Sequence, residues 1–216
     1  MTQITDVNSK FSREAWIRAL SRTASIDKEG ITLPVLIDRL AHRFETAPAL
    51  ISTEAALSYR ELSIRCNQYA RWGLAQGFKP GDTVCLMMAN CAEYMPIWLG
   101  LGRIGVIVAL INNNLAGDAL IHSINIVDPR AVIFGSAVAA RLTAVRTRLV
   151  PGLTCRVYGH SGEDFAALSP ELARFAGDVL CDSESMPPAI DATALYIYTS
   201  GTTGLPKAAK VSHYRV

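Results

Sequence analysis

Residues Tyr196 to Lys210 read YIYTSGTTGLPKAAK. An apolar, strand-like run passes here straight into alternating hydroxyls and glycines, and ends in Pro206-Lys207. Ala192–Tyr198 (ATALYIY) predicts a buried strand. Gly201 and Gly204 permit positive φ and a tight reversal. Turns of that kind aim consecutive backbone N–H groups at an anion. Thr199, Ser200, Thr202 and Thr203 add four hydroxyls, and Lys207 adds a compact positive charge on a flexible stem. Pro206 stiffens the exit. Each part suits a polyphosphate.

The loop is not a Walker P-loop. Counted from Gly201, Pro206 stands where the second glycine belongs, and Ala208 replaces the Ser/Thr that would meet Mg²⁺. The residues that follow, KAAKVSH, alternate as a strand does, so the loop joins two strands and a helix dipole contributes little. A plain hairpin turn would also be rich in Gly, Ser and Thr. The strict order of hydroxyls and glycines, closed by Pro-Lys, argues for a phosphate loop.

Upstream, helices and strands alternate. Trp16, Ile17 and Leu20 predict a helical lead-in over residues 1–30, ahead of a main unit over 31–216. Leu33, Leu36, Ile37, Leu40 and Ala41 follow helical spacing and predict a helix from Leu33 to Phe44. Two short strands flank Thr53–Ala55, and Ser58 with Glu61 forms a capping box for a helix from Tyr59 to Gln76. Thr83–Met88 is a strand, Ala92–Gly102 a helix, Gly105–Ile111 a strand and Gly117–Ile126 a helix. Ala131–Phe134 is a strand, Ala137–Arg148 a helix, Cys155–Tyr158 a strand and Glu163–Phe175 a helix. Asp182–Pro188 is the expected loose connector. Strands that are continuous apolar runs between helices indicate an α/β fold, with mixed or parallel sheets covered by helices.

Composition excludes several classes. Half of the 216 residues are apolar and the net charge is +2, which is globular and favours no charged partner. No basic stripe with interleaved aromatics points to nucleic acid. Five cysteines (66, 85, 91, 155 and 181) fall at no metal-ligand spacing and mostly within apolar runs, as reduced core thiols in a cytosolic chain would. Pro96–Ile111 is apolar but only 16 residues long with Arg103 inside it, so it reads as a buried helix entering a buried strand. Peripheral contact with a bilayer stays open. Among single candidates, His213 is read as a substrate contact or a hydrogen-bonded strand-end histidine, and His122 as structural. Glu93 and Asp128 are carboxylates without a visible partner. No nucleophile elbow is present.

Tyr198 to Lys207 is unbroken over ten positions against the signature loop of the AMP-forming adenylating enzymes, and the chain resembles that superfamily. Leu57-Ser-Tyr-Arg-Glu-Leu62, Gly81-Asp-Thr-Val84 and Trp98–Gly105 followed by Asn112-Asn-Asn-Leu115 resemble further family boxes. The asparagine turn through Gly117, the Leu120–Ile124 helix and the Ala208-Ala209 exit lean towards fatty-acid transport proteins and very-long-chain acyl-CoA synthetases.

That resemblance implies a two-step reaction. A fatty acid carboxylate attacks the α-phosphorus of ATP, giving acyl-AMP and pyrophosphate; coenzyme A then displaces AMP as a thioester. It implies that Thr199, Ser200, Gly201, Thr202, Thr203 and Gly204 cradle the β- and γ-phosphates. Lys207 would offset developing charge, and Thr202 would lie near Mg²⁺. Family members continue well beyond this loop, so the chain is expected to be the N-terminal part of a longer ligase and nearly inactive alone. The alternative is a non-catalytic remnant or interaction module that keeps a phosphate loop.

Overall fold

Strand residues buried on both faces form the centre of a seven-stranded sheet, whose strands lie in the order Ala166–Ala167, Thr154–Tyr158, Ala131–Gly135, Thr83–Met87, Ile107–Leu110, Thr193–Thr199 and Lys207–Ser212. The computed structural model describes residues 13–18, 20–21, 31–52, 55–160, 162, 164–199 and 204–216. The chain divides into two units, Met1–Ile31 and Thr32–Val216. In the first, residues 13–18 and 20–21 are helical (α1), with Trp16, Ile17 and Leu20 exposed. The rest of the expected lead-in lies outside the described residues.

The second unit opens with α2 (Leu33–Phe44), whose Pro34 occupies the first turn, where its missing N–H is no loss. A two-stranded antiparallel hairpin follows, β1 (Pro48–Ile51) and β2 (Ala56–Ser58). Next, α3 (Tyr59–Ala75) begins at the predicted capping box. Glu61 N–H donates to Ser58 Oγ at 3.2 Å, and Ser58 N–H to the Glu61 carboxylate at 2.8 Å. Gly77, at φ +76°, turns the chain out of the helix.

The sheet is then built from β3 (Thr83–Met87), β4 (Ile107–Leu110), β5 (Ala131–Gly135), β6 (Thr154–Tyr158) and the two-residue β7 (Ala166–Ala167), all parallel. β8 (Thr193–Thr199) joins β4 in parallel, and β9 (Lys207–Ser212) returns antiparallel to β8. Alternate residues serve opposite faces. Val84, Leu86, Val108, Ile133 and Leu195 pack with α3, α4 (Tyr94–Arg103) and α7 (Leu168–Leu172). Cys85, Met87, Ala109, Val132 and Phe134 pack with α5 (Gly117–Asn125) and α6 (Ala139–Val145) on the other face. Each fully buried Val, Leu or Ile contributes roughly 2 kcal/mol.

Several expectations need correction. Glu163–Phe175 is not one helix. Pro170 fits only a helix's first turn, so α7 starts at Leu168, and Ala166–Ala167 extend instead as an edge strand. Ala137–Arg148 is a shorter α6 between two 3₁₀ turns. Cys66 and Cys85 are core thiols, but Cys91 and Cys155 are half-buried and Cys181 is exposed. Glu93 does have partners: it is buried, paired with Arg65, and accepts from Tyr69 Oη at 2.8 Å. The connector around Asp182–Pro188 is fastened, because the Arg71 guanidinium grips Glu184 at 2.8 and 3.0 Å while Arg103 donates to Ser185 O at 3.3 Å. Among the described residues, no helix is long and apolar enough to cross a membrane. The Pro96–Ile111 run is instead α4 entering β4, with Arg103 buried.

Candidate functional site

The strand order creates a crevice at one end of the sheet. β3 is followed by α4 on one face, and its neighbour β4 by α5 on the other. The two connections therefore diverge at the carboxyl ends of β3 and β4, which is where open parallel sheets bind ligands. A cleft of about 350 Å³ lies there. Met88, Ala89 and Asn90 line it after β3, Leu110 to Asn113 at the end of β4, Tyr94 from α4, and Ile197 and Tyr198 from β8.

β8 carries the signature run to the same end. Thr199, its last residue, stands opposite Lys207, the first of β9. Both are exposed, and among the described residues Lys207 forms no ion pair. Gly204 has φ +92°, the left-handed turn that glycine allows without strain. Among the described residues, nothing lies within 4 Å of where its Cβ would be, so the constraint they place there is backbone conformation, not space. Ser200, Gly201, Thr202 and Thr203 lie outside the described residues.

Both stems of the run are tied to α5. Tyr198 Oη donates to Ser123 O at 2.6 Å, and His122 Nε2 meets Pro206 O at 3.0 Å. Burial pushes the Tyr198 phenol well above its usual range, so it stays protonated and remains a donor. His122 thus has a specific contact with the loop exit that its helical position did not reveal.

His213 is not beside the cleft. Ser212 pairs with Thr193 at the amino end of β8, which places His213, just past β9, roughly 20 Å from Lys207. It is buried, its backbone N–H donates to Ala192 O at 3.0 Å, and its Nε2 has no partner among the described residues. Burial lowers its pKa. Asp128 is likewise remote. It lines a second cleft, of about 360 Å³, at the amino ends of β5 and β6. That is the wrong end of a parallel sheet for a ligand of this loop.

Sequence reasoning passed over Asn90, Asn112 and Asn113 as site residues. The available signal was position: each lies within two residues after the end of a predicted buried strand of a parallel sheet.

The AMP-binding enzyme family matches residues 37–216. The chain belongs to that family. Among curated proteins, it is 33% identical over 193 residues to long-chain fatty acid transport protein 6 of Mus musculus, covering 87% of this chain and 31% of that protein. It is 30% identical over 164 residues to the medium/long-chain-fatty-acid–CoA ligase FadD6 of Mycobacterium tuberculosis, covering 74% and 25% respectively. The chain thus spans about a third or less of the length of these relatives. In fold it superposes on the anthranilate CoA ligase AuaEII, solved with anthranoyl-AMP, with a TM-score of 0.80 at 20% identity over 88% of this chain and 36% of that one. Tyr198, the first residue of its signature run, lines the crevice between β3, β4 and β8.

Proposed function

We propose that this chain is the N-terminal, phosphate-binding part of an ATP-dependent fatty acyl-CoA synthetase. In that reaction a fatty acid carboxylate displaces pyrophosphate from ATP to give acyl-AMP, and the coenzyme A thiol then displaces AMP. The observation that carries the reading is the exposed Lys207, without an ion-pair partner among the described residues, opposite Thr199 at the carboxyl end of the sheet. An unpaired ammonium there is available to a phosphate, and its position beside the cleft suits a nucleotide laid across the strand ends.

In this reading, Thr199 to Gly204 hold the β- and γ-phosphates and Lys207 stabilises the charge that builds on the leaving pyrophosphate. Fixed donors aimed at developing charge dominate chemistry of this type. Thr202 would sit near Mg²⁺. Magnesium keeps water and phosphate oxygens as most of its shell and takes only one or two protein oxygens. A single hydroxyl fits that demand without a carboxylate cluster, and the described residues contain none. The fatty acid assignment is supported by the names of the curated relatives and by the Asn112–Gly117 turn.

The test is calorimetric titration of ATP·Mg²⁺ into the purified chain, with Lys207→Ala as control. Saturable binding that weakens at least tenfold in the variant supports the reading. Binding that the substitution leaves unchanged removes it.

A further inference from the structure

Two consecutive residues of α5 reach the two stems of the hairpin, one contact each: the Ser123 carbonyl accepts from Tyr198 on β8, and His122 meets the Pro206 carbonyl just before β9. Neither contact is incidental to packing. A helix leaves its last carbonyls without intrahelical donors. Here the Ile126 N–H goes to His122 O, and the Val127 N–H turns to Ile124 O. The Ser123 carbonyl is left to the Tyr198 hydroxyl. On the other stem, Pro206 O can only accept, so the Nε2 of His122 carries the proton and donates.

The Pro206 carbonyl belongs to the planar peptide unit that leads into Lys207. Holding that oxygen fixes the plane from which Lys207 departs, while Pro206 itself has a nearly fixed φ. The helix that holds it is anchored, since Leu120, Ser123 and Ile124 are completely buried in the core beneath it. Nothing in the phosphate chemistry needs His122 to touch a ligand.

We propose that His122 is a positioning residue for Lys207: α5 braces the hairpin, and the imidazole, through Pro206, sets the direction in which the lysine leaves it. The proposal rests on the phosphate-binding reading for its functional meaning, but its structural content can be tested apart from nucleotide.

The experiment compares the chain with His122→Phe, which keeps a ring but removes the donor, and His122→Gln, which keeps an N–H donor at similar reach. Amide hydrogen exchange over residues 204–210 is measured without ligand, and ATP·Mg²⁺ affinity by calorimetry. Loss of one such hydrogen bond predicts exchange faster by roughly five- to tenfold in His122→Phe, confined to that segment, with β3 and β4 amides unchanged. His122→Gln should stay within about twofold of the parent, and affinity should fall only in the Phe variant. Unchanged exchange in His122→Phe, or equal acceleration in both variants, overturns the brace. Faster exchange with undiminished ATP affinity in His122→Phe overturns the positioning role. If the parent chain binds no ATP, the phosphate-binding reading fails, and the exchange measurement still decides the brace.

Discussion

Two glycines of α4, Gly100 and Gly102, should respond very unequally to the same substitution. A Cβ at Gly100 would lie 2.4 Å from the Cys66 carbonyl oxygen and 2.6 Å from Tyr69 Cβ, both on α3. Ordinary contact begins near 3.4 Å, so α3 and α4 would have to separate by about 1 Å. The obstacle is helix backbone, which cannot turn aside as a flexible side chain can. The displaced interface holds Tyr69, Trp72, Ile97 and Leu101, all essentially inaccessible. Overpacking of this kind costs about 1–3 kcal/mol, and the backbone clash puts Gly100→Ala at or above the upper end. The gain in helix propensity returns about 1 kcal/mol. At Gly102 the nearest atoms are Pro34 Cγ at 3.3 Å and His213 Cε1 at 3.9 Å, so little must move and the propensity gain nearly balances it.

The net expectation is a loss of about 2 kcal/mol for Gly100→Ala and a change within about 1 kcal/mol for Gly102→Ala. Urea denaturation followed by tryptophan fluorescence reads both. In thermal unfolding of a chain of this size, 2 kcal/mol corresponds to a midpoint lower by roughly 4–8 °C. Equal stability of the two variants would refute the claim that a single close approach at Gly100 sets the α3–α4 spacing.

Other substitutions probe separate parts of the fold. Glu93→Ala leaves the buried Tyr69 hydroxyl without its acceptor and Arg65 without its partner; a loss of about 2–4 kcal/mol in urea is expected, and less than about 1 would contradict the network. Ser58→Ala removes the capping box of α3 and should lower stability by about 1 kcal/mol in the same assay. The Arg71 guanidinium holds the Glu184 carboxyl down to about 2, so that group's contribution is complete above pH 4.5 and disappears as pH falls towards 2; Arg71→Met should flatten this acid limb of the stability curve. Burial depresses His213, so the parent chain should lose stability as pH falls below 6.5. His213→Phe should remove that slope, and a slope that persisted would place its origin elsewhere. With a thiol reagent, exposed Cys181 should react first. Cys66 and Cys85, buried and with thiols pushed well up by burial, should stay silent until the chain unfolds.

What the sequence disclosed was local. The capping box at Ser58, the helix from Leu33 to Phe44 and the apolar strands are written in neighbouring residues, because caps and periodicities act over one or two turns. The α7 region misled because the apolar spacing of Glu163–Phe175 suits a helix, while Pro170 restricts where that helix can begin. Partnerships between distant residues left no periodic trace. Glu93 meets Arg65 and Tyr69 from another helix, and His122 meets Pro206 across 84 residues of chain. The chemistry of the candidate loop was legible at Thr199 and Lys207. That both stand at the end of the sheet where the crevice between β3, β4 and β8 opens follows from strand order, which no single segment encodes.

The most direct test of the central claim is to locate bound nucleotide by amide resonances during an ATP·Mg²⁺ titration. The account predicts shifts at Thr199, at Gly204 to Lys207 excluding Pro206, and at Asn112 and Asn113, with Arg130 in the opposite cleft unmoved. Shifts centred on Arg130 and Gln76, or none at saturating nucleotide, would contradict it.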